Sequence, residues 1–309
     1  MRMINIFIDG SAGTTGLRIF DRLLSRADIT LLTLPEDRRK DPEARRDALN
    51  AADVAFLCLP DAAAVEAVSL LENDRTAVID TSTAHRTAER WTYGFPELAG
   101  RREQIKTSKR IANPGCHASG FIALVAPLVE QGIVAPDALL TCFSLTGYSG
   151  GGKSMIAQYE APAPDPLFAA PRQYGLAQAH KHLPEMVRQC GLTNAPAFCP
   201  VVADYYAGME VTVPLFREQV RGSIAAVREV YREYYQTGLV RYVENTDENG
   251  FLSAGAYAGR DDMAVTVCGN EERMLLIARF DNLGKGASGA AIQNMNILLG
   301  FDETAGLNV

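Results

Sequence analysis

The stretch Met3-Ile4-Asn5-Ile6-Phe7-Ile8-Asp9-Gly10-Ser11-Ala12-Gly13-Thr14-Thr15-Gly16 decides the fold of the first part of this chain. Residues 3–9 are short, apolar and rich in isoleucine, which is typical of a buried strand in a parallel sheet. A glycine-rich turn follows, and the apolar residues after it recur with helical spacing. A strand, a glycine loop and a helix in this order can hold a pyrophosphate, because backbone N–H groups and a helix N-terminus both favour an anion.

Strands and helices continue to alternate downstream of this loop. Strands are predicted at 29–34, 53–59 and 76–80, with helices between them. Asp41 is expected to cap a helix that begins at Pro42, and Asp61 to cap an alanine-rich helix. We therefore predict an α/β fold whose N-terminal part is a Rossmann-like, doubly wound parallel sheet.

The pattern changes after Cys116. An apolar helix is predicted at 120–131, and turn-rich segments of alternating polarity follow, which is typical of a mixed or antiparallel sheet. A final helix is expected at 287–299. We predict an NADP-binding domain formed by residues 1–115 and 285–309, and an α+β catalytic and dimerisation domain over residues 116–284.

Composition excludes several classes of protein. The chain has 309 residues, of which 47% are hydrophobic, enough for a large core and two domains. A net charge of -7 argues against nucleic acid or an anionic membrane as the main partner. No apolar run approaches the ~20 residues of a membrane span, and the start lacks the layout of a signal peptide. The six cysteines are scattered without a Cys-x-x-Cys pair, so we expect no disulfide framework, no metal site and a cytoplasmic location.

The glycine loop is the predicted cofactor site. Its spacing, Gly-x-x-Gly-x-x-Gly, differs from the common Gly-x-Gly-x-x-Gly, and such loops are often only turns; its place between a strand and a helix favours a function here. The residues expected to bind the cofactor are Gly10, Ser11, Gly13, Thr14, Thr15 and Gly16.

The end of the second strand bears on the choice of cofactor. The sequence Leu34-Pro35-Glu36-Asp37-Arg38-Arg39 carries both charges. An acidic side chain there would bind the ribose of NAD, whereas an arginine would bind the additional phosphate of NADP. We favour NADP, with Arg38 or Arg39 at that phosphate, and NAD remains the alternative.

Cys116 is the candidate nucleophile. It follows Pro114-Gly115 and precedes a predicted helix, a position that favours the thiolate. A buried structural cysteine is the alternative, and we accept that role for Cys58, Cys142 and Cys268, which lie in apolar strands.

The segment His180-Lys181-His182-Leu183-Pro184-Glu185 offers a base. Residues two apart in an extended segment face the same way, and Pro184 can begin a helix. One histidine could move a proton while Glu185 orients it. Glu185 favours His182 slightly over His180. A metal-binding pair lacks an evident third ligand, and a pair of surface histidines is the plainer alternative.

Two further clusters contain candidate binding residues. Residues 147–154 fit Gly-x-x-x-x-Gly-Lys-Ser, the phosphate loop of NTPases, but the helix after it is cut short at Pro162 and the neighbouring strands look antiparallel. An NTPase is thus a minor alternative, although Gly150 and Lys153 could still hold a phosphate. Asn282 lies in a glycine-rich turn; it either binds the nicotinamide amide or simply belongs to a chain reversal.

The motifs together resemble the short form of the N-acetyl-gamma-glutamyl-phosphate reductase family of arginine biosynthesis. The matching stretches run in order over nearly the whole chain: 6–17, Asp80-Thr81-Ser82-Thr83-Ala84-His85-Arg86, Ala112-Asn113-Pro114-Gly115-Cys116, 147–153, 180–185 and 281–289. One departure is His117-Ala118-Ser119, where the family has an aromatic residue followed by Pro-Thr or a similar pair. The role of His117 stays open.

The resemblance implies an activity and an assembly. NADPH would reduce N-acetyl-gamma-glutamyl phosphate to N-acetylglutamate 5-semialdehyde through a thioacyl group on Cys116. Ser82 would line the active-site cleft on the cofactor side, and Arg86 and Asn113 on the substrate side. A homodimer or homotetramer is implied as well. Aspartyl phosphate is the rival substrate, and a redox sensor that switches at Cys116 is a non-catalytic alternative.

Overall fold

The computed structural model describes residues 3–244 and 246–309. Its contacts divide the chain into two units, Met1–Pro114 with Ala287–Leu307 and Gly115–Gly286 with Asn308–Val309. The helices and strands are, in chain order, β1 (Ile4–Asp9), α1 (Thr14–Leu24), β2 (Ile29–Leu32), α2 (Pro42–Ala51), β3 (Val54–Leu57), α3 (Asp61–Ser69), β4 (Ala77–Asp80), β5 (Thr92–Tyr93), α4 (Arg101–Thr107), β6 (Arg110–Ala112), α5 (Cys116–Glu130), β7 (Thr141–Gly147), α6 (Gly152–Tyr159), β8 (Arg172–Gln173), α7 (Leu183–Cys190), β9 (Ala197–Ala203), β10 (Met209–Phe216), α8 (Ile224–Tyr234), β11 (Val240–Tyr242), β12 (Met263–Gly269), β13 (Arg273–Phe280) and α9 (Gly289–Leu299).

The first unit is built on a parallel sheet. Among its described residues the sheet has six strands in the order β2-β1-β3-β4-β6-β5, so the strand order reverses between β1 and β3. Asp9 pairs with Leu57, Leu57 with Asp80, and Asp80 with Ala112. The carboxyl ends of four strands therefore form one row. In sheets of this kind ligands bind beyond that edge, near the point where the order reverses.

Apolar side chains cover both faces of this sheet. One cluster packs Ile19 of α1 and Met295 of α9 against strand residues such as Ile6. The other packs Leu49 of α2 and Ala64 of α3 against the opposite face. Helices on both faces make the sheet doubly wound, and the predicted fold class is confirmed.

The second unit holds a mixed sheet. In its described residues the strand order is β11-β12-β13-β10-β7-β9-β8. The centre is antiparallel, since β10 pairs in that sense with both β13 and β7, while β7 pairs with β9 in parallel. The wholly buried run of α5, from His117 to Leu128, contributes much of this unit's core. Of the two kinds of sheet predicted, the mixed one is present.

Two predicted local features are wrong. The helix expected at 120–131 begins four residues earlier, at Cys116, because the polar groups of its first turn find partners: the Ser119 hydroxyl donates to the carbonyl of Gly115 at 3.1 Å. Asp61 does not cap α3, whose N-cap is Pro60. Its carboxylate instead accepts from the backbone of Thr83, at 2.8 Å.

The capping predicted at Asp41 is confirmed. Its carboxylate accepts from the amides of Glu43 and Ala44 at the start of α2, with Pro42 in the first turn. In the part of the chain that the structure covers, no helix combines the length and apolarity needed to cross a membrane.

Candidate active site

The glycine loop after β1 depends on two of its glycines for packing. A Cβ at Gly10, whose φ is +88°, would lie 2.3 Å from the carbonyl oxygen of Cys58, and one at Gly16 would lie 2.4 Å from that of Gly10. At Gly13 the nearest atom is 3.4 Å away, an ordinary contact. A Cβ at Gly13 would therefore meet no clash.

The glycine loop leads into the N-terminus of α1. Gly13 is the N-cap and has no side chain to accept from the first-turn amides of Thr14, Thr15 and Gly16. Ser11 precedes this turn and is half-buried. Unsatisfied amides at a helix N-terminus bind anions. The loop therefore fits the pyrophosphate of a dinucleotide.

Arg38 and Arg39 lie beyond the carboxyl end of β2. Glu36–Arg38 form a 3₁₀ turn, and both arginines are exposed. The Arg38 guanidinium donates to the Asp41 carboxylate at 2.9 Å, and this pairing raises the pKa of Arg38. Because neither arginine is buried, either side chain can turn toward a phosphate without losing buried contacts.

A third arginine near the loop was not predicted from the sequence pattern. Arg45 of α2 is buried and its Nε donates to Asp9, the last residue of β1, at 3.0 Å. Burial raises the pKa of Asp9, and the hydrogen bond and charge of Arg45 oppose that rise. The pair fixes the strand end from which the glycine loop departs.

The turn after β4 is organised by Asp80. This buried carboxylate accepts from the amide of Ser82 at 2.9 Å and from its hydroxyl at 2.7 Å, and it contacts Nδ1 of His85 at 2.6 Å. The His85 ring stacks on Trp91, with 4.0 Å between centroids. The predicted cofactor residue Ser82 is thus held in a rigid turn at the carboxyl edge of the sheet.

Arg86 and Asn113 are brought together at the same edge. The Arg86 guanidinium donates to the carbonyls of Asn113 and Thr81, each at 3.0 Å. The Asn113 side chain donates to the carbonyl of Ala287 at 3.0 Å and accepts from Asn294 at 3.2 Å. Both predicted substrate residues are buried and are anchored by the backbone around them.

In the second unit, Cys116 is the first residue of α5. Gly115 is the N-cap and carries no side chain, so the first-turn amides face outward beside the thiol. A Cβ at Gly286 would lie 3.0 Å from the Cβ of Cys116, and glycine at 286 therefore permits this close packing. A helix N-terminus favours a thiolate and offers N–H donors to an oxyanion.

His117, whose role the sequence left open, is bonded at both ring nitrogens. Nδ1 lies 2.7 Å from the hydroxyl of Ser144, and Nε2 lies 2.6 Å from the hydroxyl of Tyr174. Burial, and to a smaller extent the charge of the neighbouring His180, lowers the pKa of His117 to about 3. The imidazole is therefore neutral near pH 7. Neither Ser144 nor Tyr174 was singled out from the sequence, because 27 and 57 residues separate them from His117.

The histidine pair lies beside His117. The ring centroids of His180 and His182 are 5.8 and 5.6 Å from that of His117. The two rings lie close together, 4.7 Å apart at 84°. The expected extended segment is wrong, because the chain turns here and the amide of Leu183 donates to the carbonyl of His180.

Glu185 contacts two parts of this cluster. Its Oε2 accepts from the amide of Gly115 at 3.2 Å, and its Oε1 lies 4.0 Å from Nε2 of His182. As predicted, Pro184 lies in the first turn of α7. The carboxylate thus anchors the residue before the nucleophile and is buried beside one of the two candidate bases.

The remaining predicted residues of this unit form a separate group. Gly150 and Lys153 are exposed around the N-terminus of α6. The Asn282 amide donates to the Ser149 hydroxyl at 3.0 Å and accepts from the amide of Gly208 at 2.9 Å. Both ends of Asn282 therefore join two loops of the protein, and this bonding does not support a contact with the nicotinamide.

Three of the other thiols, those of Cys58, Cys142 and Cys190, lie in a different environment. Burial raises the pKa of Cys58 to about 12 and raises the pKa of Cys142 and Cys190 as well. A buried thiol held in its protonated form is a poor nucleophile. These cysteines are structural.

Comparison with known proteins identifies the family. Residues 5–108 match the model described as "Semialdehyde dehydrogenase, NAD binding domain", and residues 116–282 match "Semialdehyde dehydrogenase, dimerisation domain". N-acetyl-gamma-glutamyl-phosphate reductase 2 of Nostoc sp. is 44% identical over 99% of this chain and 100% of that protein. The chain belongs to the N-acetyl-gamma-glutamyl-phosphate reductase family.

Further comparisons agree with this assignment. The N-acetyl-gamma-glutamyl-phosphate reductase of Brucella ovis is 47% identical to this member of the family, over 96% of this chain and 98% of that protein. Aspartate semialdehyde dehydrogenase II of Vibrio cholerae superposes with a TM-score of 0.72 at 17% identity, covering 96% of this chain and 99% of that one. The enzyme of Candida albicans, solved with NADP, gives 0.68 at 16% identity, covering 96% and 98%. Those two structures support the fold alone.

Proposed function

We propose that this chain catalyses the NADPH-dependent reduction of N-acetyl-gamma-glutamyl phosphate to N-acetylglutamate 5-semialdehyde and phosphate, as a step of arginine biosynthesis. The observation that carries the proposal is Cys116 at the N-terminus of α5, where the next residue, the neutral His117, lies beside the pair His180 and His182. The relatives named for this reaction match the chain over nearly its whole length.

Covalent catalysis by Cys116 divides the reaction into two easier steps, transfer of the acyl group to the thiol and reduction of the thioester. A histidine of the pair accepts the thiol proton, and the Cys116 thiolate attacks the acyl carbon and expels phosphate, leaving a thioester. The amides of the first turn of α5 stabilise the oxyanion formed on the way, where loss of one donor typically costs about 3 kcal/mol. Bound NADPH supplies the hydride that reduces the thioester. Collapse of the resulting oxyanion returns the thiolate and releases the aldehyde.

Two groups of residues bind the substrates in this proposal. The amides at the N-terminus of α1, with Arg38 or Arg39 beyond β2, hold the phosphates of NADPH. Arg86 and Asn113 line the substrate side, and Lys153 with the backbone at Gly150 offers a further phosphate contact. The basis is the geometry of each group within its own unit, together with membership of the family.

We also propose a homodimer or homotetramer, in which the outer face of the mixed sheet takes part. Phe143 pairs with Thr212, and Leu275 with Pro214. The two apolar side chains are 40% and 41% exposed, and the family model that covers this unit is described as a dimerisation domain. An exposed apolar sheet face is typical of a subunit interface. A reactive thiol also favours a reducing compartment, and we propose a cytoplasmic location.

The substrate is tested by running the reaction in reverse. The enzyme is given NADP, phosphate and either N-acetylglutamate 5-semialdehyde or aspartate semialdehyde, and NADPH is followed by absorbance. The proposal predicts phosphate-dependent reduction of NADP with the N-acetylated aldehyde and little with the other. Equal or greater activity with aspartate semialdehyde would assign aspartyl phosphate instead.

A further inference from the structure

Gln178 lies in the turn that leads from β8 to the histidine pair, and its backbone has an unfavourable conformation. Its φ is +53°, in the left-handed region that residues other than glycine seldom adopt. The turn is closed by the amide of Gln178, which donates to the carbonyl of Gly175 at 3.0 Å. A strained residue of this kind persists only where other contacts hold it in place.

The side chain of Gln178 supplies those contacts. Its Oε1 accepts from the amide of Phe198 at 2.8 Å, and its Nε2 donates to the carbonyl of the same residue at 2.7 Å. One side-chain amide thus pairs with both backbone groups of a strand residue, as a residue of a neighbouring strand would. Two hydrogen bonds to one residue fix the orientation of the Gln178 amide as well as its position.

These bonds continue the pairing of β8 along the edge of β9. The two strands pair in the antiparallel sense, and just beyond β8 the amide of Tyr174 donates to the carbonyl of Pro200 at 3.0 Å. The backbone then turns, and Gln178 bonds to Phe198, two residues before Pro200 in β9. The turn that precedes the histidine pair is therefore attached to β9 at both of its ends.

Phe198 is also in contact with the histidine pair. Its ring is 1% exposed and lies edge-on to the ring of His180, with 5.1 Å between centroids. The ring of His182 in turn lies 4.7 Å from that of His180. Gln178 therefore acts on His180 from two sides, through the short stretch of chain between them and through the residue against which the imidazole packs.

We propose that Gln178 is a positioning residue for the histidine pair: its side-chain amide, paired with the backbone of Phe198, holds His180 and His182 where one of them can take the thiol proton. The proposal rests on the proposed function in one respect, that a histidine of this pair moves the proton. The paired amide carries this role, and the left-handed backbone alone does not.

Two substitutions separate the amide from the strained backbone. Gln178→Ala removes the amide and keeps a Cβ, whereas Gln178→Gly removes the amide and also relieves the left-handed strain. Both should lower kcat about tenfold or more, because a misplacement of about 1 Å can cost up to about 100-fold in rate. The KM for N-acetyl-gamma-glutamyl phosphate and the Kd for NADPH should stay within about twofold.

Two matched controls exclude general effects of these substitutions. Asn249 is exposed and has a φ of +58°, so Asn249→Ala changes a residue with the same kind of backbone away from the histidine pair. Gln173 is an exposed glutamine of β8, so Gln173→Ala makes the same substitution in the same segment. Both variants should keep kcat within about twofold of the unaltered enzyme.

The histidine rings provide a measurement that needs no turnover. The chain has four histidines, so nuclear magnetic resonance of enzyme labelled at histidine can assign each ring by replacing one residue at a time. In both Gln178 variants the ring signals of His180 and His182 should move. The signal of His85, which stacks on Trp91, should not move, and neither control should displace any of the four.

The outcomes distinguish this inference from the proposed function. A loss in kcat without a change in KM in both Gln178 variants, together with displaced signals of His180 and His182, supports the inference. Full kcat in Gln178→Gly, a loss that appears in KM instead, unmoved histidine signals, or an equal loss in either control overturns it. If the unaltered enzyme has no turnover, the proposed function fails, and the histidine signals alone then decide the inference.

Discussion

The glycine loop and the thiol site are assembled in different ways. The loop is one run of chain, residues 10–16, whose shape follows from the strand before it, the helix after it and two glycines at which a Cβ would meet a backbone carbonyl oxygen. The thiol site joins α5, β7 and the segment that runs from β8 into α7. A binding loop can thus be encoded locally, whereas the environment of a nucleophile depends on residues far apart in the sequence.

The largest effect is expected at Cys116. Cys116→Ser should lower turnover by at least about 1,000-fold, because a serine hydroxyl remains protonated where the thiol ionises. NADPH affinity, measured by fluorescence titration, should stay within about twofold of the unaltered enzyme. Substantial residual activity, or a variant that no longer binds NADPH, would contradict the separation of the two sites.

The next largest effect is expected from substitutions of His180 and His182. Removing a general acid–base group costs about 100-fold to 10,000-fold in rate. We expect His182→Ala to lose more kcat than His180→Ala, because His182 lies 4.0 Å from the Glu185 carboxylate. The comparison is made from kcat and its pH profile for each variant. If neither substitution changes the profile, the proton is handled elsewhere.

Substitutions at Gly13 and Gly16 test separately whether the glycine loop binds NADPH and whether it needs glycine for packing. A Cβ at Gly13 meets only ordinary contacts, and the side chain of Gly13→Leu lies at the anion site, so this variant should weaken NADPH binding by at least about tenfold with little change in the Tm. Gly16→Ala should instead lower stability by about 1–3 kcal/mol, because its Cβ meets the Gly10 carbonyl. Titration and thermal melting distinguish the two. A Gly13→Leu variant with full NADPH affinity would remove the loop from the cofactor site.

Arg38 and Arg39 should determine how much more tightly the enzyme binds NADPH than NADH. Loss of a charge-assisted contact to the ribose phosphate in Arg38→Ala or Arg39→Ala should raise the Kd for NADPH about tenfold. The Kd for NADH should be unaffected, since that cofactor has no such phosphate. Titration of both variants with both cofactors provides the check, and parallel losses for NADH would assign the arginines another role.

The smallest effect concerns stability at low pH. The pKa of His117 is lowered to about 3 in the folded chain, while an unfolded histidine titrates near about 6.5. Between these values the unfolded chain binds more protons, so stability falls as the pH drops, by up to about 1.4 kcal/mol per pH unit from this residue. Urea unfolding at several pH values should show a shallower loss for His117→Phe. Equal slopes would mean that His117 takes up its proton over the same pH range in the folded and unfolded chains.

Local chemistry explains what could be predicted from the sequence. The doubly wound sheet follows from short apolar strands that alternate with helices, and the cap at Asp41 follows from an aspartate before a proline. In each case the partners are close in the chain. Asp61 shows the limit: it stands where a cap is expected, but its carboxylate bonds to Thr83, 22 residues away.

Networks between distant residues could not be predicted. The start of α5 was placed too late because His117 and Ser119 are polar, and their partners lie in other segments or on the preceding turn. The buried pair of Asp9 and Arg45 depends on two elements packed together, 36 residues apart. Each of these groups is buried only because the tertiary fold supplies a partner.

The most direct test of the account is whether Cys116 becomes acylated. The enzyme is mixed with N-acetyl-gamma-glutamyl phosphate in the absence of NADPH, and its peptides are analysed by mass spectrometry while released phosphate is measured. The account predicts an N-acetylglutamyl thioester on Cys116, formed together with one equivalent of phosphate and removed when NADPH is added. Release of aldehyde on adding NADPH with no adduct at Cys116, or an adduct at another residue that turns over instead, would contradict it.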